Sequence, residues 1–339
     1  MVTVSLRSMP RLFDLIKIGS LQLKNRIVMP PMATGLATTR GEVTEDLIKH
    51  YEKRARGLGL QIVEHSYVLK GGKLSPHQLG IHEDKLAAGL AKLAERIHSL
   101  GTPITIQINH AGRVTASDVC GQQPVGPSPI PHSSKHEVPR EISRNEIEEM
   151  IEAFSSAARR AVEAGFDAVE VHGAHGFLLN QFLSPLSNKR KDEYGGSLEN
   201  RMRFHSQIIA RIKENIGKSF PLLYRLGADD MHPEGLTLQE SKVFAQNLEK
   251  WGVHAIDVSG GIMGSRPAHL TGPGYYVPLA EAIKSVVNVP VIGVGGIKTP
   301  EFADEVIGKN RADLVAVGRA MLADPKWALK AMEGLRSSN

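Results

Sequence analysis

Eight short apolar runs recur along the chain, each followed by an amphipathic segment, and that alternation narrows the fold more than any other feature. The runs lie at 27–32, 60–64, 104–108, 168–171, 222–226, 255–258, 291–294 and 314–317, and are rich in Val and Ile. They are nearly continuous rather than alternating, as expected of parallel strands covered on both faces. Between them the spacing predicts helices over 45–57, 83–99, 144–164, 200–216, 238–251, 277–286 and 300–308, with one or two more after Arg319. Their starts have local causes. Ser143 with Glu146, and Thr237 with Glu240, fit reciprocal capping boxes, and Thr299-Pro300 fits a cap followed by proline at the first helical position. The segment 144–164 stacks Ile147, Ile151, Phe154, Ala158, Ala161 and Val162 on one side, a stripe suited to a sheet.

Eight strand–helix units in 339 residues fit a closed (β/α)8 barrel, the TIM barrel, as one domain over 1–339. An open doubly wound sheet is the rival. Its fingerprint of three spaced glycines after the first strand is missing, since 27–32 runs into Ala33-Thr34-Gly35-Leu36. Two long connections, 110–142 and 173–199, follow strands and so belong on the C-terminal face of a barrel. There, loops of such length serve as binding walls or lids.

Composition limits the partners. Forty-one Lys and Arg against thirty-six Asp and Glu give a net charge of +5, spread without long like-charge runs, and aromatics are only 5%. Neither a nucleic-acid partner nor a stacking platform is expected from that balance. One cysteine, Cys120, excludes a disulfide scaffold and an iron–sulfur cluster held by one chain. No apolar leader opens the sequence and no stretch approaches a membrane span, so a soluble cytoplasmic protein without a membrane partner is expected.

The densest group of chemistry-bearing residues closes the fourth run: Glu170-Val171-His172-Gly173-Ala174-His175-Gly176-Phe177. Two neutral imidazoles at a strand end can donate N–H bonds to one anionic or carbonyl oxygen. A zinc reading needs a third ligand, from His110, Glu170, Asp230 or His254, and leaves a metal-dependent barrel hydrolase or aldolase as an alternative. Gln107 ends the third run; its amide both donates and accepts, which suits the edge of a flavin or nucleobase but also a packed barrel interior. Arg225 sits among apolar residues of the fifth run and needs a partner, either negative charge on a bound ring or an internal ion pair with Glu170 or Asp257. The seventh and eighth runs end in Gly293-Val294-Gly295-Gly296 and Ala316-Val317-Gly318-Arg319. Loops at those two positions of a barrel commonly cradle a phosphate, which glycine backbones approach closely and an arginine clamps.

These residues resemble the Old Yellow Enzyme family of FMN-dependent ene-reductases, also called NADH:flavin oxidoreductases. The strongest segment is His172-Gly173-Ala174-His175-Gly176-Phe177-Leu178-Leu179, continuing through Gln181-Phe182-Leu183-Ser184-Pro185 and Asp192-Glu193-Tyr194-Gly195-Gly196-Ser197 to Asn200-Arg201. Leu23-Lys24-Asn25-Arg26, Pro30-Pro31-Met32, His110-Ala111-Gly112-Arg113, Asp257-Val258-Ser259-Gly260 and Gly318-Arg319 are secondary matches. The resemblance implies FMN across the barrel mouth, with Pro31, Met32 and Ala33 beside the ring, Gln107 at its pyrimidine edge and Arg225 by its N1/O2 end. It implies that Gly295, Gly296, Gly318 and Arg319 hold the phosphate. His172 and His175 would bind the carbonyl oxygen of an electron-poor alkene, whose β-carbon takes a hydride derived from NADH or NADPH. A homo-oligomer is also implied.

The chain departs from the family pattern in three places. Phe177 stands where relatives carry a proton-donating tyrosine, and Tyr67 or solvent is expected to take over that role. Ala33 replaces a Thr or Cys at the flavin edge, with Thr34 as a local substitute. The stretch 32–36 looks like the dienoyl-CoA and 2-enoate reductase branch, yet no cysteine cluster follows. A flavoenzyme of the same fold acting on C–N or nitro compounds is a further alternative.

Overall fold

The computed structural model describes residues 10–266 and 269–337. Its strands, in chain order, are β1 (Ile16–Ile18), β2 (Leu21–Leu23), β3 (Ile27–Met29), β4 (Leu60–Tyr67), β5 (Ile104–Asn109), β6 (Val125–Gly126), β7 (Arg140–Glu141), β8 (Ala168–Gly173), β9 (Leu222–Gly227), β10 (Ala255–Ser259), β11 (Val291–Gly293) and β12 (Leu314–Ala316). Eight of them, β3, β4, β5, β8, β9, β10, β11 and β12, pair in parallel and close on themselves when β12 meets β3. The TIM barrel expected from the eight runs is therefore the fold, and the open sheet is not.

Both faces of each barrel strand are buried, but by different partners. Val169 and Val171 of β8, like Ile256 and Val258 of β10, pack into the large shell shared with the helices. Ala168, Leu223, Ala255, Ile292 and Leu314 instead join Val28, Leu60 and Ile62 in a second cluster inside the barrel. The hairpin β1–β2 adds Ile18 and Leu23 to that inner cluster, so it stoppers the end where the strands begin. Each fully buried aliphatic chain there contributes roughly 1.5–3 kcal/mol. The polar inward positions that follow, Gln107, Glu170, Arg225 and Asp257, sit above this plug, toward the strands' C-terminal ends.

The helices start where their caps place them. Ser143 and Thr237 accept from the backbone N–H of Glu146 and Glu240, and both boxes are closed by the glutamate side chains. Thr299 caps the helix Pro300–Gly308. Among the described residues no helix is long and apolar enough to cross a membrane.

The long connections are more structured than bare loops. The stretch 110–142 carries a short helix, Ser117–Cys120, and the parallel pair β6–β7. It is pinned to 173–199 by Arg190 Nη1 donating to the Ile142 carbonyl at 2.7 Å and by Lys189 N donating to Ser128 Oγ at 2.9 Å.

Candidate active site

A cavity of about 950 Å³ opens at the C-terminal ends of the strands. Of the residues expected to act in catalysis or hold the cofactor, Pro31, Met32, Ala33, Gln107, His172, His175, Arg225, Gly295, Gly296, Gly318 and Arg319 all face the same space, and Tyr67 and Thr34 do not.

The imidazoles reach it from one strand end. His172 is inward on β8 by the same alternation that turns Glu170 inward. Its Nδ1 accepts from the Ala174 N–H at 3.3 Å, so the neutral ring carries its proton on Nε2. His175 adopts φ +60°, the left-handed region, and its Nε2 lies 2.7 Å from Ser259 Oγ, leaving Nδ1 for the cavity. The two rings stand edge to face with centroids 5.1 Å apart. Burial holds both pKa values well below that of free imidazole, with the positive charge of Arg225 adding to it, so both rings are uncharged at neutral pH.

Beneath them lies a charged layer. Arg225 Nε sits 3.3 Å from Asp257 Oδ2, so the internal ion pair exists, and the same guanidinium also lines the cavity. Gln107 Nε2 donates to Glu170 Oε1 at 2.8 Å. One guanidinium cannot neutralise two buried carboxylates. The Glu170 pKa is accordingly raised, first by burial and then by the charge of Asp257. Glu170 Oε2 and both Asp257 oxygens have no hydrogen-bond partner among the described residues.

The opposite wall is built from glycine. Gly295 and Gly296 take φ of +110° and +68°, and a Cβ on Gly296 would come 2.5 Å from the Gly272 carbonyl oxygen. A Cβ on Gly318 would come 2.8 Å from Met32 Sδ. The backbone N–H groups of Gly295, Gly296, Gly318 and Arg319 donate to no described residue. Arg319 reaches across to donate from Nη2 to the Tyr275 hydroxyl at 3.0 Å. A concave run of unpaired N–H groups beside an arginine is a receptor for a phosphate.

Three expectations are corrected. Tyr67 does not reach the cavity: its hydroxyl donates to the Arg40 carbonyl at 3.2 Å and its ring stacks on His82 at 4.5 Å. Burial also pushes its pKa up to about 12, the wrong direction for a proton donor. Thr34 is no substitute at the flavin edge, because its hydroxyl donates to Glu64 Oε1 at 2.9 Å while its N–H bonds to Glu64 Oε2. The loop 110–142 contributes nothing to the cavity lining; that wall comes instead from the segment after β10, through Gly264, Ser265, Arg266, Tyr275 and Tyr276.

Two of the four candidate third ligands for zinc, Asp230 and His254, are engaged elsewhere. Asp230 accepts from Ser184 Oγ, Leu236 N and Ile262 N, and His254 Nδ1 accepts from Leu222 N. Among the described residues no group of three or more metal-ligating side chains converges.

His65 escaped notice in the sequence yet lines the cavity, its ring 5.2 Å from Phe177 and 6.2 Å from His172. A bulge places it there. Between Val63 and Ser66 the register of β4 slips by one residue against β5, which breaks the inward phase set by Leu60 and Ile62.

Known proteins resemble this chain along nearly its whole length. A family model described as the NADH:flavin oxidoreductase / NADH oxidase family matches residues 11–338. The chain is 51% identical over 332 residues to an NADH oxidase of Thermoanaerobacter brockii, covering 96% of this chain and 51% of that protein. It is 43% identical over 322 residues to an NADPH dehydrogenase of Clostridium acetobutylicum, covering 94% of each. The chain thus spans about half the length of the first relative and nearly all of the second. Among solved structures, a 2-naphthoyl-CoA reductase in complex with 2-naphthoyl-CoA superposes with a TM-score of 0.90 at 31% identity, over 96% of this chain and 52% of that one. Morphinone reductase superposes with a TM-score of 0.86 at 29% identity, over 96% of this chain and 90% of that one.

Proposed function

The chain belongs to the NADH:flavin oxidoreductase (Old Yellow Enzyme) family, and from that premise we propose that it binds FMN in the barrel mouth and reduces electron-poor alkenes with NADH or NADPH. The observation that carries this reading is a single cavity with two neutral imidazoles on one side and a glycine cradle of unpaired N–H groups on the other.

The residues fit the cofactor. Gly295, Gly296, Gly318 and Arg319 would hold its phosphate; Gln107 and Arg225 would meet the polar edge of the ring; Pro31, Met32 and Ala33 would lie beside it. FMN, when bound, would supply the hydride chemistry that links nicotinamide oxidation to reduction at the alkene's β-carbon. The protein's own share is alignment and charge. His172 Nε2–H and the His175 ring bind the substrate's carbonyl oxygen, drawing electron density from the β-carbon, and they do so as neutral donors. Ser259 Oγ orients His175, and the backbone N–H of Ala174 orients His172. Arg225, held by Asp257, would offer positive charge to the negative charge that a reduced ring gathers. Water at the cavity mouth supplies the proton for the α-carbon, because Phe177 has none to give. That same phenyl ring favours a second reading, reduction of nitro or C–N groups, which asks for no carbon-bound proton at this position.

The test begins with absorption. Purified protein carrying a yellow chromophore, released by heat and identified as FMN, supports the cofactor; a colourless protein that refuses added FMN overturns it. Phenol binding, read from the shifted flavin spectrum, should weaken about tenfold or more in His172→Ala and His175→Ala, since each loses a donor to a charged or polarised oxygen. Unchanged binding in both variants removes the two imidazoles from the site.

A further inference from the structure

His65 adds a third imidazole to a cavity whose proposed chemistry needs two, and its protonation pattern can be read from its neighbours. Gln78 Oε1 accepts from the Leu74 N–H at 2.6 Å, and a backbone amide can only donate. The other end of the Gln78 side chain is therefore the amide nitrogen. That nitrogen lies 3.0 Å from the His65 carbonyl oxygen and 2.8 Å from His65 Nδ1. An amide nitrogen only donates, so Nδ1 accepts and carries no proton. Asn109 Nδ2, 3.5 Å from the same Nδ1, is a second donor pointing at it. The residue is 9% exposed, and burial with the nearby charge of Arg225 lowers its pKa to about 4. At neutral pH the single ring proton then sits on Nε2. That atom has no protein partner among the described residues and is not among the atoms sealed from solvent, so it opens on the cavity beside Phe177.

We propose that His65 is a substrate-binding residue, donating a hydrogen bond from Nε2 to a second acceptor oxygen, so that the site prefers alkenes with two acceptor groups, ene-diones above all, over simple enones. The inference rests on the ene-reductase reading of the same cavity. Its geometry allows a second contact to one ligand: the His65 and His172 ring centroids are 6.2 Å apart, and both residues line the same cavity. A donor poised in a largely dry wall discriminates because a ligand lacking the matching acceptor leaves it unpaired. His65 is not offered as the missing proton source, since at neutral pH the buried ring holds no imidazolium proton to give.

The experiment compares kcat/KM for ketoisophorone, an ene-dione, and 2-cyclohexenone in the FMN-loaded wild type, His65→Leu and His65→Gln. The ratio of the two substrates should fall by about tenfold or more in His65→Leu, and His65→Gln, which keeps an N–H donor, should recover part of it. An equal loss on both substrates, or no loss, overturns the role. A second arm measures binding of p-hydroxybenzaldehyde and phenol from the flavin spectrum. The aldehyde's advantage over phenol should shrink in His65→Leu and persist in His65→Gln. If the wild type binds FMN but reduces neither alkene, the ene-reductase reading fails, and this binding arm alone decides His65: an aldehyde advantage that ignores His65→Leu overturns it.

Discussion

Glu64 shows how much one buried carboxyl can reveal. It sits at the β4 bulge, 2% exposed, accepting from the Thr34 hydroxyl and backbone N–H beside Ala33 of the cavity wall. Burial raises its pKa to about 7, and the two bonds from Thr34 only partly oppose that. The folded state therefore holds this proton more tightly than the unfolded chain, whose glutamates titrate near 4.5. The resulting stability is present below that value and is lost as pH rises through about 7, a swing of roughly 3 kcal/mol. Glu64→Gln cannot ionise and keeps an acceptor for the Thr34 N–H. Urea unfolding should find it close to wild type at pH 5 and more stable than wild type at pH 8; an equal loss at both pH values would count against the raised pKa. At this scale the sequence was legible where a residue type has one use and silent where a side chain chooses among neighbours. The His172 and His175 pair declared itself. Tyr67 and Thr34 did not, because nothing in the local pattern says that their hydroxyls turn to the Arg40 carbonyl and to Glu64.

Among the elements, strand cores and helix starts follow from local chemistry. The capping boxes at Ser143 and Thr237, and the Thr299-Pro300 start, can be written down from residue order alone. The β4 bulge cannot. Its cause is the pairing of β4 with β5, a non-local fact, and it is what hid His65 behind the expected alternation. The hairpin β1–β2 was overlooked for a related reason: two three-residue strands around Gly19 and Ser20 are too short for a periodic signal. The glycine loop after β11 is the element on which the cofactor proposal leans hardest. Gly296 combines φ +68° with a would-be Cβ only 2.5 Å from a backbone oxygen, so no rotamer change relieves a substitution there. Gly296→Ala should cost about 1–3 kcal/mol of stability through backbone strain and weaken FMN binding about tenfold or more through displacement of the N–H cradle. Melting curves and an FMN titration measure the two effects; full affinity with normal stability would mean that the cradle lies elsewhere.

At the scale of the molecule, eight apolar runs left a closed barrel and an open doubly wound sheet, and the absence of a glycine fingerprint after the first run favoured the barrel. The inner plug and outer shell then divide the work, and the strands' C-terminal ends are left to carry polar residues. Of the two long loops, 173–199 lines the cavity through His175 and Phe177 while 110–142 does not, since length does not say which loop folds inward. A ligand that binds only the closed barrel stabilises all of it. FMN at about a hundred times its Kd should therefore raise Tm by a few degrees, from about 2.7 kcal/mol of linkage, and Gly296→Ala should blunt the rise. An unshifted Tm at saturating FMN would argue against binding to the native fold.

The most direct measurement follows one atom. NADH or NADPH deuterated at the transferring C4 position is mixed anaerobically with the FMN-loaded protein and 2-cyclohexenone, and the product is analysed by mass spectrometry and NMR. Cyclohexanone carrying the deuterium at its former β-carbon is the predicted result. Oxidation of the nicotinamide without cyclohexanone, or cyclohexanone with no deuterium at that carbon, would contradict it.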